Sequence, residues 1–242
     1  MIDVSNILNC HVSLCRNIRA KSYQIVTLFE ALNIIRKVAY EKQIENIRRL
    51  LSNGNICSYR AKKKQLPAYI FTGIAQGNGY KFDISGYTSL IIIDIDKLSD
   101  IHFVKSQLML DWHVVSVWKS PSGKGLKVLF YIEYMEAVSP ENIWIVHEYC
   151  AFPQIVAYLH EKYGIQVDKT GADITRLCFV SSDSDIHLKK QFEPFKVNID
   201  LNRKQIWKIR AKYYYGNKER RKAIAEMKRI SKLTNSNIDS KI

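Results

Sequence analysis

The stretch LIIIDIDKLSD, residues 90–100, decides how this chain is read. Residues 90–93 are apolar without interruption, the pattern of a strand buried on both faces. Asp94 and Asp96 follow, two apart. On an extended chain such residues point to the same side, so their carboxylates lie next to each other. Like charges held that way repel unless something positive stands between them. A divalent metal, a Lys or Arg, or simply water at a strand end would serve. Paired carboxylates on one face are also the oxygen donors that hard divalent cations take.

Two other stretches carry chemistry. Residues 116–130 read SVWKSPSGKGLKVLF. Gly123 and Gly125 permit a tight loop whose N–H groups can converge on an anion. Ser120 and Ser122 add hydroxyl donors, and Lys119, Lys124 and Lys127 add charge. Lys127 leaves its strand on the face opposite Leu126. The set suits a triphosphate, although the GxxxxGK[ST] spacing of a Walker A loop is absent. An ordinary β-hairpin turn with solvated lysines is the competing reading. Residues 164–185, GIQVDKTGADITRLCFVSSDSD, place Asp168 after a short apolar segment, Asp173 five residues on, and Arg176 before a strand. A third carboxylate would complete a two-metal site. Arg176 can hold a phosphate or pair with one of the acids. A loop acid and a surface salt bridge are the alternative.

Around these stretches the chain falls into three regions. Residues 1–55 read as a mainly helical N-terminal segment, with Asn53-Gly54 as a stop and room for a short strand upstream. Residues 56–200 alternate apolar runs with turn signals. YIFTGIAQG, SLIIIDI, HVVSVWKS, LKVLFYIEY and RLCFVSS read as strands. Residues 140–164 read as one or two helices, broken near Phe152-Pro153 and stopped at Gly164. Strands alternating with helices predict an α/β (α+β) sheet domain. Residues 203–242 are a basic tail, predicted helical and interrupted at Gly216-Asn217. The tail holds 13 Lys and Arg against 3 acidic residues, so it supplies ten of the chain's fourteen net positive charges. That balance points to a polyanionic partner, nucleic acid above all. Lys208, Arg210, Lys212, Arg220 and Arg221 are the expected contacts, and Tyr213-Tyr214-Tyr215 could stack on bases or pack the tail onto the domain.

With 242 residues, 47% of them hydrophobic, the chain can bury one large core. No stretch has the roughly 20 apolar residues of a membrane span. Five widely spaced cysteines without a CxxC fit reduced thiols in a cytoplasmic protein better than a disulfide framework or a zinc site. The histidines form no HxxxH pair and no cluster with cysteine.

In order along the chain come an apolar strand ending in DxD, a Ser/Gly/Lys turn entering a strand, and an apolar-Asp before an Arg-bearing strand. This resembles the archaeo-eukaryotic primase superfamily, and most closely its primase-polymerase branch called VirE N-terminal-like, found in mobile elements and beside CRISPR systems. The matching residues are KKKQLPAYIFTG (62–73), YTSLIIIDIDKL (87–98), SPSGKGLKVLF (120–130) and VDKTGADITRLCFVSSDSD (167–185). The resemblance implies a catalytic core with an RRM-like sheet flanked by helices. It makes Asp94 and Asp96 the first two ligands of a two-metal Mg2+ or Mn2+ site, with Asp168 the third and Asp173 the alternate. Ser122, Lys124 and Lys127 fall where the superfamily contacts the incoming triphosphate, beside Ser120 and Arg176. Many members carry His where this chain has Lys127, and a lysine neutralises phosphate as a point charge on a flexible stem.

The implied activity is template-directed nucleotidyl transfer from NTPs or dNTPs to a 3′-hydroxyl, as in a DNA primase or polymerase. Its partners would be DNA template and primer, with a helicase or a CRISPR or mobile-element protein in trans. Two rivals share these residues: a nucleic-acid-binding module without catalysis, and another two-metal enzyme such as a nuclease or nucleotide cyclase. The charge distribution gives a direct test. Deleting residues 203–242 should weaken template binding and make its affinity less steeply dependent on salt. An unchanged slope in a salt titration would show that the tail faces something else.

Overall fold

The computed structural model describes residues 1–20, 22–76, 81–83, 86–167 and 169–199. The chain divides into a unit Met1–Asp200 and a unit Leu201–Ile242. The tail, with Lys208, Arg210, Lys212, Arg220 and Arg221, lies outside the described residues, and so does Asp168.

The N-terminal part runs β1 (Ile2–Asp3), α1 (Ser5–Leu8), β2 (His11–Cys15), β3 (Gln24–Thr27), α2 (Leu28–Arg36), α3 (Glu41–Ser52) and α4 (Ile56–Lys63). The middle continues with β4 (Ala68–Ile70), β5 (Ile74–Gln76), β6 (Lys81–Asp83), β7 (Leu90–Ile95), α5 (Ile101–Leu110), β8 (Val114–Lys119) and β9 (Leu126–Tyr134). After these come α6 (Ile143–Val146), α7 (Phe152–Tyr163), β10 (Cys178–Phe179), β11 (His187–Leu188), β12 (Gln191–Phe192) and β13 (Phe195–Val197). The architecture is mixed α and β. Among the described residues, its ladders are antiparallel apart from the parallel pairing of β9 with β13.

A five-stranded sheet carries the DID segment. The long strand β9 pairs with β7 on one side and β8 on the other, and β11 and β13 extend the sheet. Leu90, Ile91, Ile92, Ile93 and Ile95 are all buried, as an uninterrupted apolar run requires. A four-stranded sheet, ordered β10-β4-β2-β3, faces it across the main core. Leu90, Ile92, Val115, Trp118 and Leu129 of the first sheet meet Val12, Tyr69 and Cys178 of the second, with Leu28, Leu32 and Ile35 of α2 closing the cluster.

The N-terminal region is therefore more than helical. It contributes β2 to the middle of the second sheet, and the strand is tied in by a buried serine. The Ser13 hydroxyl donates to the Gly73 carbonyl (3.1 Å) and accepts from the Ala75 N–H (2.7 Å). Helix α2 starts where a TxxE capping box places it: the Glu30 N–H donates to Thr27 Oγ1 (3.2 Å), and the Thr27 N–H donates to Glu30 Oε2 (2.7 Å). YIFTGIAQG breaks into β4 and β5 at Gly73, and the two halves join different sheets. The break expected near Phe152-Pro153 is a π-helical turn, His147–Ala151, ahead of α7. Gly164 caps α7 with φ of 66°, a conformation glycine adopts without strain. The five cysteines are free thiols. Among the described residues, no helix is long and apolar enough to cross a membrane.

One buried acid fastens α7 to the sheet. Asp111 accepts from the hydroxyls of Tyr158 and Tyr163 (both 2.7 Å), from the His113 N–H (2.9 Å) and from Lys162 (3.4 Å). Burial alone would raise its pKa. The four donors outweigh burial, and its carboxyl is held below the ordinary aspartate value. Asp111→Ala should cost roughly 3 kcal/mol, because three polar groups lose their acceptor in a buried place. A folded pKa below the unfolded one adds stability above about pH 3.9 and loses it as pH falls further. The gap in melting temperature between parent and variant should therefore narrow on acidification through that range.

Candidate functional site

The DID segment meets the lysine of the Ser/Gly/Lys stretch directly across the sheet. Asp94 pairs with Lys127 in the β7–β9 register, and Lys127 faces Trp118 on β8. The Lys127 ammonium forms a salt bridge to Asp94 Oδ1; the two side chains are 7% and 19% exposed. Lys127 is thus the positive partner that the acidic pair requires. Burial works against its charge, but Asp94 chiefly, with Cys178 and Asp96, more than compensates, and its pKa is raised. Asp96, two residues on, is exposed. Lys97 follows with φ of 59°, a left-handed conformation that turns the chain away as the strand ends. Cys178 lies under this pair, and burial pushes its thiol up to about 11.

The Ser/Gly/Lys stretch is the β8–β9 hairpin loop, and it backs onto the DID segment. A methyl group at Gly125 would run into the Ile95 carbonyl oxygen and crowd Asp96 Oδ1 at 3.0 Å. Gly123 has φ of 71°, and a Cβ there would stand 3.2 Å from Arg48 Nε. The loop's hydrogen bonds close on themselves. Ser120 N–H donates to the Gly125 carbonyl and Gly123 N–H to the Ser120 carbonyl (both 2.9 Å). Lys124 N–H donates to Ser122 Oγ (3.2 Å), and the hydroxyls of Ser120 and Ser122 are 2.9 Å apart. These amides serve the turn rather than converging on an outside anion. Ser120 is buried and Lys124 is exposed.

Arg48 of α3 clamps this loop to another. Its guanidinium donates to the carbonyls of Ser120 (3.3 Å) and Ser182 (3.1 Å). Ser182 belongs to the SSDSD segment, where Asp183 accepts from the Lys119 N–H (2.7 Å) and pairs with the buried Lys105 (3.3 Å). Nothing in its local pattern marks Arg48. It reads as one more cation on an amphipathic helix.

The third stretch closes the site. A cleft of about 430 Å³ is lined by Asp94, Lys127, Asp173 and Arg176. Three segments separate in sequence thus supply one cavity. Asp173 is exposed, and its Oδ1 accepts from the N–H (2.7 Å) and the hydroxyl (2.6 Å) of Thr175, so one of its oxygens holds the turn. Lys63 of α4 and Phe179 of β10 complete the wall. The Lys63 ammonium lies over the rings of Phe179 (5.4 Å to centroid) and Tyr59 (5.9 Å). Lys63 had a signal, the KKK run before QLPAYIFTG, but nothing in that run says which lysine turns inward.

The donors Asp94, Asp96 and Asp173 are hard oxygens of the kind Mg2+ and Mn2+ take, and the internal ammonium at Asp94 marks a place that draws positive charge. Among the described residues, no group of three His, Cys, Asp or Glu side chains is arranged to hold a metal ion. The loop packing is directly testable. Gly125→Ala should destabilise the protein by about 1–3 kcal/mol, as expected for an overpacked site. A thermal melt matching the parent's would contradict the close approach of loop and strand.

Residues 61–187, just over half of the chain, match the family described as BT4734-like, N-terminal domain. The matched span contains Lys63, the DID segment, the hairpin loop, Asp173 and Arg176, and stops short of Arg48. No curated protein matches the chain, and no solved structure does. On the strength of that match, the chain belongs to the BT4734-like N-terminal domain family.

Proposed function

We propose that the cleft is the active site of a metal-dependent nucleotidyltransferase that copies a template, in the manner of a DNA primase or polymerase. One observation carries the reading: Asp94, Lys127, Asp173 and Arg176 come from three distant stretches and line one cavity. A surface salt bridge or an isolated turn would have no reason to bring them together. The order and wording of those stretches resemble primase-polymerases, which supports the same conclusion.

In this reading Asp94 and Asp96 hold Mg2+ or Mn2+, joined by Asp168 or Asp173. When bound, such ions acidify the attacking 3′-hydroxyl and offset charge on the departing pyrophosphate. The chain's own residues do the rest. The hairpin loop, fixed by Gly125 against β7 and by Arg48, carries Ser122 and Lys124, which would contact the triphosphate. Arg176 offers a planar, permanently charged group for phosphate oxygens. The basic tail holds the template strand.

A second reading, a nucleotide- or nucleic-acid-binding module without turnover, is favoured by the Asp94–Lys127 salt bridge, which already neutralises one carboxylate from within. A single assay separates the two. Purified protein is incubated with template, primer, labelled dNTPs or NTPs, and Mg2+ or Mn2+. Extended or newly made strands are expected from the parent. Asp96→Ala should abolish them while leaving DNA binding intact or slightly tighter. Product from Asp96→Ala at the parent rate would remove Asp96 from the chemistry. Degraded DNA or cyclised nucleotide would place the same residues in a different two-metal enzyme.

A further inference from the structure

Two lysine ammonium groups reach the cleft, and their surroundings differ. Lys127 is bound to Asp94. Lys63 has no carboxylate within salt-bridge distance among the described residues, and its close neighbours are the ring faces of Phe179 and Tyr59. A ring face attracts a cation through its quadrupole but brings no negative charge, so the ammonium keeps its full charge. Lys63 is half-buried. Burial first, and then repulsion from Lys127, depress its pKa, with Asp94 and Asp96 opposing. A partly desolvated cation in a ligand-sized cavity, lacking a counter-ion, is stabilised by any anion that enters.

We propose that Lys63 is the cleft's anion-binding lysine and takes the phosphates of a nucleoside triphosphate, while Lys127 serves as the internal counter-ion of Asp94. The Lys63 ammonium is held over the two rings, and Lys63 lines the same cavity as Arg176. This separates the counter-ion role at Asp94 from phosphate contact in the cleft. The inference rests on reading the cleft as a nucleotide site, but not on turnover.

The test uses the full chain without divalent cations. Calorimetry measures binding of inorganic tripolyphosphate, of dATP and of a short oligothymidylate. Lys63→Met keeps the apolar stem over the rings and removes the charge. It should weaken tripolyphosphate and dATP alike by about 10- to 100-fold, the effect of one charge-assisted hydrogen bond, and Lys63→Arg should restore most of the loss. The proposal is overturned if Lys63→Met melts like the parent and binds both as tightly, if only oligothymidylate is weakened, or if the parent binds neither probe. Should Lys63→Met fail to fold, amine acylation of the parent, read by mass spectrometry, decides instead. Tripolyphosphate should slow modification of Lys63 at least several-fold while leaving Lys196 unchanged, and an unaltered Lys63 rate overturns the assignment. A parent that binds tripolyphosphate through Lys63 yet extends no primer keeps this inference and ends the catalytic one.

Discussion

Along the ladder where β7 and β9 pair, apolar and aromatic partners face each other at every position but one, and the exception is charged, Asp94 with Lys127. Both residues sit on the face that carries Leu90, Ile92 and Leu129 into the core, at the end where the core stops. Either charge alone at that position would be costly, because partial burial strips away water without replacing it. Together they tolerate the position, and the pair sets the polarity of everything around it. Trp118 faces Lys127 from β8, and both members of the pair line the cleft.

The hairpin loop is organised around the same edge. Its glycines are required for different reasons. Gly123 needs the left-handed conformation, whereas Gly125 needs the absence of a side chain so that the loop can lie on the Ile95 carbonyl. Arg48 then binds this loop and the SSDSD segment through two backbone carbonyls. Rigid placement of a loop beside paired acids is what any chemistry at this cleft would demand. Lys97, directly after the acids, takes a left-handed conformation as β7 ends.

Local pattern made much of the fold legible. The unbroken apolar run at 90–93 announced a central buried strand, Asn53-Gly54 announced the end of α3, and Gly164 announced the end of α7. Where tertiary partners override pattern, reading failed or stayed silent. HVSLC looks unremarkable until its buried serine is seen bonding to Gly73 and Ala75. RLCFVSS forms ladder pairs only over Cys178 and Phe179, because beyond them the chain bonds to Pro67 and Lys119 instead. In the candidate site, the acids, the loop and Arg176 were visible as residue types. Arg48 and Lys63 were not, since a helix shows which residues share a face but not what that face meets.

The sequence by itself determined that Asp94 and Asp96 share one side of a strand, since side chains alternate along any extended chain. It also narrowed what could relieve their repulsion to a metal ion, a lysine or arginine, or water at a strand end. Only the tertiary structure decided what answers: the pairing register of β7 and β9 puts Lys127 opposite Asp94, and the approach of α4 puts the Lys63 ammonium over Phe179, out of salt-bridge reach of any carboxylate among the described residues. Register and approach depend on how the two sheets bury their apolar faces against each other, a property of the whole core that no short stretch contains.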